Sequence, residues 1–226
     1  MNKKNQVKRI FDSISYRYDL LNHLLSFGID YYWRYRALKK AKINKNSILL
    51  DVACGTGDFS ISAKKFGVKK LFAADLSLNM LKLFEKKADW SNGKKVQSVA
   101  EYLPYKPDTF TDIIVAFGVR NFYDINLGFE SFYRILKKQG KVTILEFKLP
   151  KNMCVAKFYL FYFNNILPFV GKIISKDKEA YQYLPDSVSD FDKNINLPQM
   201  LKNSGFNNIK SYPLTFGIVN IVIGEK

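Results

Sequence analysis

The residues of this chain whose types and spacing could do chemistry gather at a few turns. The first turn is Asp51-Val52-Ala53-Cys54-Gly55-Thr56-Gly57-Asp58, where the apolar run Ile48 to Leu50 carries a carboxylate into a bend of small residues. Glycine at 55 and 57 lets the backbone bend sharply and lets a ligand approach with no Cβ in the way. Asp75 closes a second apolar run, Leu71 to Ala74, where an acidic side chain can accept from both ribose hydroxyls of an adenosine lying across the strand ends. The Asp58 carboxylate, at the start of the next helix, argues against a pyrophosphate, because both would compete for the same positive dipole end. An adenosine ligand without phosphate fits better. Thr56 offers a hydroxyl to the polar end of such a ligand, or to its own turn. Ala100 is small enough for an adenine ring to lie against the backbone, with Glu101 beside it. The string Ala116-Phe117-Gly118-Val119-Arg120-Asn121-Phe122 joins a guanidinium to a carboxamide. Arg120 faces either an oxyanion on a substrate or a carboxylate partner, Asp124 or Glu146. His23 is the only histidine and has no partner identifiable from sequence, so it is not assigned as a base. Cys54 reads as a small residue filling the bend.

These residues need strands, turns and helices in alternation. Apolar runs predict strands at 48–52, 70–75, 95–99, 111–117 and 140–147, with helices near 58–66, 77–88 and 125–137. A closing antiparallel pair, 208–212 and 216–223, is joined through Pro213-Leu214-Thr215. Residues 6–40 read as helix interrupted at Ser26-Phe27-Gly28, with a second helix near 31–41. That piece takes no part in the sheet and packs as a lid over cofactor or substrate, or as a stabilising flap. Residues 153–174 are apolar and aromatic, but Lys157, Asn164, Asn165, Pro168 and Lys172 break the run of about 20 residues that a membrane span requires. The segment reads as a helix turning through Pro168, suited to capping a greasy substrate or resting on a membrane surface.

Composition narrows the classes. Cys54 and Cys154 are the only cysteines, too few for a disulfide framework or a metal knuckle, and a reducing cytosol is the expected setting. The N-terminus is basic but lacks the apolar run of a secretory signal. The formal charge of +16 invites a nucleic-acid reading. The lysines, however, are scattered, mostly at predicted helix ends, and no RNA-binding module is legible.

The Gly55-Thr56-Gly57-Asp58 turn resembles motif I of the class I S-adenosylmethionine-dependent methyltransferases, with Ala53 where that motif often has its first glycine. The implied fold is α/β and Rossmann-like: a seven-stranded, mostly parallel sheet with a C-terminal antiparallel hairpin and an N-terminal helical lid. One methyltransferase domain would cover 1–226, with a lid at 1–42, a cofactor core at 43–150, a substrate-capping insertion at 151–206 and the closing hairpin at 207–226. Further strings are more specific: Tyr18-Asp19-Leu20-Leu21-Asn22, Leu25-Ser26-Phe27-Gly28 with Trp33, Phe117-Gly118-Val119-Arg120-Asn121, Tyr133-Arg134-Ile135-Leu136-Lys137, Leu145-Glu146-Phe147, and Tyr181-Gln182-Tyr183-Leu184 with Asp186-Ser187. Together they resemble the ubiquinone/menaquinone biosynthesis C-methyltransferase family over nearly the whole chain.

That resemblance implies methyl transfer from S-adenosylmethionine to a ring carbon of a polyprenylated quinol. Demethylmenaquinol is the first candidate and the 2-methoxy-6-polyprenyl-benzoquinol of ubiquinone synthesis the second. It implies catalytic roles for Arg120 and Asn121, cofactor contacts from Asp51, Ala53, Gly55, Thr56, Gly57, Asp75, Val99, Ala100, Glu101 and Ala116, and a substrate wall from Phe158, Tyr181 and Tyr183. A bilayer-dissolved substrate further implies peripheral contact at the cytoplasmic face of a membrane. Neither metal nor nucleic acid is expected, and a homodimer is left open. Departures from the family pattern are Leu21, Asp30, Val99, Ala116, Lys138-Gln139-Gly140 and Lys148, and none removes Asp75, Arg120 or Asn121. Rival readings are a methyltransferase for another small molecule or for RNA, and a silent assembly subunit, against which Gly55, Gly57 and Asp75 argue.

Overall fold

Strands that are apolar on both faces demand cover on both, and the chain supplies it with helices. The computed structural model describes residues 3–166 and 178–226. The strands are β1 (Ile48–Val52), β2 (Lys70–Asp75), β3 (Lys95–Gln97), β4 (Phe110–Ala116), β5 (Leu136–Phe147), β6 (Asn207–Leu214) and β7 (Val219–Glu225). They form one seven-stranded sheet in the order β3-β2-β1-β4-β5-β7-β6. The first five pair in parallel, and β7 runs antiparallel to both of its neighbours.

The described helices are α1 (Lys3–Leu25), α2 (Ile29–Ala41), α3 (Asp58–Lys64), α4 (Leu78–Lys87), α5 (Ile125–Ile135), α6 (Met153–Phe161), α7 (Lys178–Asn194) and α8 (Leu197–Asn203), with a π-helical turn at Tyr162–Ile166 after α6. Successive strand residues point to opposite faces. Leu50, Ile113 and Ile144 therefore enter one core with Phe129 and Phe132 of α5 and Leu201 of α8. Their neighbours Leu49, Ile114 and Leu145 enter the other with Trp33 and Leu38 of α2 and Phe59 of α3. Side-chain caps start the helices where the sequence offers them: Ser77 accepts from the Met80 N–H (3.1 Å) and Asp124 from the Leu127 N–H (3.1 Å).

The strands at 48–52 and 70–75 match their expected bounds, and the N-terminal helix breaks where Ser26-Phe27-Gly28 predicts. Phe27 (φ 52°) and Gly28 (φ 73°) both take left-handed conformations there. Other boundaries shift by one to four residues, and two of the shifts have a clear cause. β5 begins at Leu136 rather than 140, because Leu136 pairs with Phe110 across an irregular register before the regular pairing from Asp112 to Lys141. The turn of the closing pair is Thr215–Gly217, not Pro213–Thr215. Proline belongs to β6 itself, which tolerates it as an edge strand. Of the apolar 153–174 segment, residues 167–174, with Pro168 and Lys172, lie outside the described residues, as does the side chain of Tyr181. No helix among the described residues is long and apolar enough to cross a membrane.

Candidate active site

Strand order reverses between β1 and β4, and the crevice beyond the strand ends at such a switch point is where open α/β sheets bind ligands. The backbone there is strained in two places: Ala53 after β1 (φ 52°) and Phe117 after β4 (φ 57°) are left-handed without being glycine. The two loops also touch. A Cβ on Gly118 would lie 2.6 Å from the Ala53 Cβ, so only glycine lets the β4 loop lie against the β1 turn.

The cleft at this point is lined by Ala53, Gly55, Asp75, Val99, Ala100, Glu101, Ala116 and Asn121, eight of the residues expected in the site. Asp75 is fixed by two backbone donors, the N–H of Gly55 to Oδ2 and that of Ser77 to Oδ1, each at 2.8 Å. Burial nonetheless pushes its carboxyl up to about 6. Glu101 is buried, and its Oε1 accepts from the N–H groups of Tyr123 (2.9 Å) and Asp124 (3.2 Å), which anchors the loop after β4. Asp51, Thr56 and Gly57 stand behind the lining. Asp51 accepts from the Ser60 hydroxyl (2.6 Å), its other oxygen is buried without a partner, and burial pushes its carboxyl up to about 7. The Thr56 hydroxyl donates to Asp19 of α1.

Helix α1 closes the cleft, contributing Val7, Phe11 and Tyr18 to its wall. It is held by polar latches at three heights. Lys3 donates to the Phe122 carbonyl (2.6 Å), Asp12 accepts from the Ser77 hydroxyl, and Asp19 meets Lys87 of α4 (2.7 Å). Lys87 also binds Asp58 (2.5 Å). Burial alone would lower the Lys87 pKa, but Asp58 and Asp19 outweigh it and raise it. His23 has partners that the sequence concealed: its Nδ1 lies 2.8 Å from Asp30 and its Nε2 3.5 Å from Asp58.

A second, larger cavity of about 330 Å³ shares Phe11, Tyr18 and Phe117 with the cleft. Most of its wall is apolar, including Ile10, Ile14, Trp33, Phe147 and Phe158. Its polar residues include Asn22, Arg34, Arg120 and Tyr183. Arg120 donates to Glu146 (2.7 Å) and to the Phe117 carbonyl (2.6 Å), while its Nε is buried without a partner. Of the two expectations for Arg120, the carboxylate partner is present as Glu146, and the same arginine lines the cavity. Tyr183 donates to Asn121 (2.9 Å), linking cavity to cleft. Burial raises the pKa of Tyr18, while Arg120 and Arg34 both oppose the rise. Arg34 and its partner Asp30 had no functional assignment from sequence; their i, i+4 spacing on α2 was the available signal.

The cleft suits an adenosyl cofactor. It offers a fixed carboxylate for paired hydroxyls, a small-residue wall at Ala53, Ala100 and Ala116, and apolar cover from Met80 and Phe122. A profile of the ubiE/COQ5 methyltransferase family matches residues 1–226. The chain belongs to that family. It is an S-adenosylmethionine-dependent C-methyltransferase. The methyltransferase is 40% identical to the demethylmenaquinone methyltransferase of Chlorobaculum tepidum, over 94% of this chain and 89% of that one. It is 40% identical to the ubiquinone/menaquinone biosynthesis C-methyltransferase UbiE of Geotalea daltonii, over 99% and 97%. Among solved structures it resembles a SAM-dependent methyltransferase of Thermotoga maritima (TM-score 0.65, 17% identity, 96% and 99% covered) and one of Methanococcus maripaludis (TM-score 0.60, 18%, 99% and 93%), which bear on the fold alone.

Proposed function

We propose that this methyltransferase methylates a ring carbon of a polyprenylated quinol, with demethylmenaquinol as the first candidate. The observation that carries the reading is the meeting of the two chambers: a cofactor cleft and a larger, mostly apolar cavity share Phe11, Tyr18 and Phe117, beside Arg120 and Asn121. An apolar cavity of this size suits an aromatic ring with the start of an isoprenoid tail. The demethylmenaquinone and ubiquinone/menaquinone methyltransferases among its relatives add quinone biosynthesis as the setting.

A ring carbon is a weak nucleophile until a neighbouring hydroxyl ionises and feeds electron density into the ring. Bound S-adenosylmethionine would supply the electrophilic methyl, with its sulfur as the leaving atom that keeps the electron pair. Arg120 favours the ionised hydroxyl by a charge-assisted hydrogen bond, and Glu146 holds the guanidinium in place for it. Asn121, oriented by Tyr183, positions the water that takes the hydroxyl proton and later the proton of the methylated carbon. Phe158 and Tyr183 wall the ring; Tyr181 is assigned with them on resemblance.

Transfer of labelled methyl to a short-chain demethylated naphthoquinol tests the substrate, with RNA as the control acceptor. Arg120→Ala should lower kcat by about a hundredfold or more while leaving cofactor affinity within about threefold. Because Arg120→Ala strands the buried Glu146, the Arg120→Ala/Glu146→Gln double variant separates chemistry from folding. Parallel loss of cofactor binding in the double variant would remove Arg120 from the chemical step.

The tail calls for a bilayer. Phe27, Phe158 and Phe216 are 81%, 72% and 83% exposed, and the cavity wall includes Phe27, Phe158 and the Thr215 and Ile218 that flank Phe216. Exposed Lys151 and Lys157 lie on or beside α6. Aromatic tips with nearby cations favour a peripheral seat on the cytoplasmic face of a membrane carrying anionic lipid.

A further inference from the structure

Two buried arginine–carboxylate pairs, not one, open on the larger cavity. Beside Arg120 and Glu146 stands Arg34 of α2, held by Asp30 one helical turn earlier. Asp30 is fixed in turn by the Ser26 hydroxyl (2.6 Å) and by His23 Nδ1 (2.8 Å), and these contacts together with Arg34 outweigh burial and keep its carboxyl below its usual range. Arg34 and Asp30 are only 5% and 2% exposed. Withdrawing such a pair from water carries a desolvation cost that apolar side chains avoid, so the second pair calls for a use.

Arg34 has hydrogen-bonding capacity to spare. Its Nε is buried without a partner, and its Nη2 lies 3.8 Å from Asp58, beyond hydrogen-bond reach. Its guanidinium carbon is 5.9 Å from the Phe117 ring centroid, Arg120's is 5.6 Å from that of Phe147, and the two rings are 4.5 Å apart. Both cations also act on one phenol, Tyr18, at the junction of the chambers. A flat ring entering this end of the cavity therefore meets two guanidinium groups, each already neutralised by its own carboxylate.

We propose that Arg34 binds the second oxygen of the substrate ring, para to the one at Arg120, and so restricts the enzyme to rings oxygenated at both positions. This rests on the quinol reading and adds the residue that reads the far oxygen. A ring with one oxygen would leave the spare donors of Arg34 without an acceptor, and sites built to hydrogen-bond a group reject analogues that lack it.

The test compares two water-soluble acceptors carrying a single prenyl unit: the 1,4-dihydroxynaphthalene, and the analogue lacking the hydroxyl para to the one beside the accepting carbon. Incorporation of labelled methyl under reducing conditions gives kcat/KM for each, and the ratio cancels their intrinsic reactivity when enzymes are compared. Arg34→Lys keeps a cation for Asp30 but loses the planar fork, and Arg34→Gln loses both. Both variants should cut the preference for the diol by about tenfold or more, mainly through KM, with cofactor affinity measured by calorimetry unchanged. An unchanged preference, or equal losses on both rings, would overturn the inference and leave the quinol reading standing. Failure of the unaltered enzyme to methylate either ring would overturn the quinol reading and this inference with it.

Discussion

At the scale of single residues, the electrostatics of Asp75 make a quantitative statement about the cofactor. Its carboxyl titrates near 6 because burial disfavours the charge more than the Gly55 and Ser77 N–H groups support it. Paired ribose hydroxyls donate best to the ionised form, so S-adenosylmethionine should bind more weakly as pH falls through 6, by about tenfold per unit below it. Calorimetry across pH 5 to 8 checks this, and Asp75→Asn should flatten the profile while weakening binding throughout. The sign is opposite for folding: a carboxyl raised from 3.8 to about 6 contributes stability below pH 4 that is lost as pH rises through 6, so the empty protein gains from acid what the cofactor loses. The place of Asp75 was legible from sequence because it is the last residue of its strand, at the mouth of the cleft. Thr56 was not, since the Asp19 that takes its hydroxyl lies 37 positions away on α1. The partners of His23 were hidden in the same way, because helical spacing shows which residues share a face and not what is packed against it.

At the scale of elements, periodicity placed β1, β2 and β4 to within a residue, because each carries a compact apolar run, Ile48–Leu50, Leu71–Ala74 and Ile113–Ala116. It stopped short at the start of β5 and at the end of β6. Most of β6 is exposed, with Ile209 and Tyr212 half-buried and Leu214 buried, and its Pro213 read as the start of the turn. The loops show what the strands do not. Phe27 and Phe216 are exposed tips with left-handed backbones, a conformation that bulky side chains adopt at a cost. Insertion into lipid gives such tips a use that water does not. Phe27→Ser/Phe216→Ser should therefore lose most co-sedimentation with anionic vesicles while keeping turnover of a short-chain, water-soluble acceptor within about twofold. Unchanged vesicle binding would move the contact to other residues.

At the scale of the molecule, α1 is the element we expect to open first. Its latches to Phe122, Ser77, Thr56 and Lys87 are polar and local, whereas the sheet beneath is sealed by two apolar cores. Local opening draws on the weakest contacts first. Lys87, partly exposed between Asp19 and Asp58, is the latch most readily cut: Lys87→Met should raise the dissociation rate of the cofactor about fivefold, measured by stopped flow, with little change in melting temperature. Hydrogen exchange in α1 should quicken in that variant while exchange in β1 and β4 stays slow. Ser26-Phe27-Gly28, with two consecutive left-handed residues, is the natural pivot.

Because Phe11 and Tyr18 of this one helix wall both chambers, neither reactant can pass by its movement without unsealing the other. Traffic through the two chambers is then coupled. A methylated product lingering in the larger cavity should act as a brake on departure of the spent donor, so accumulating product should throttle the enzyme even when fresh donor is plentiful.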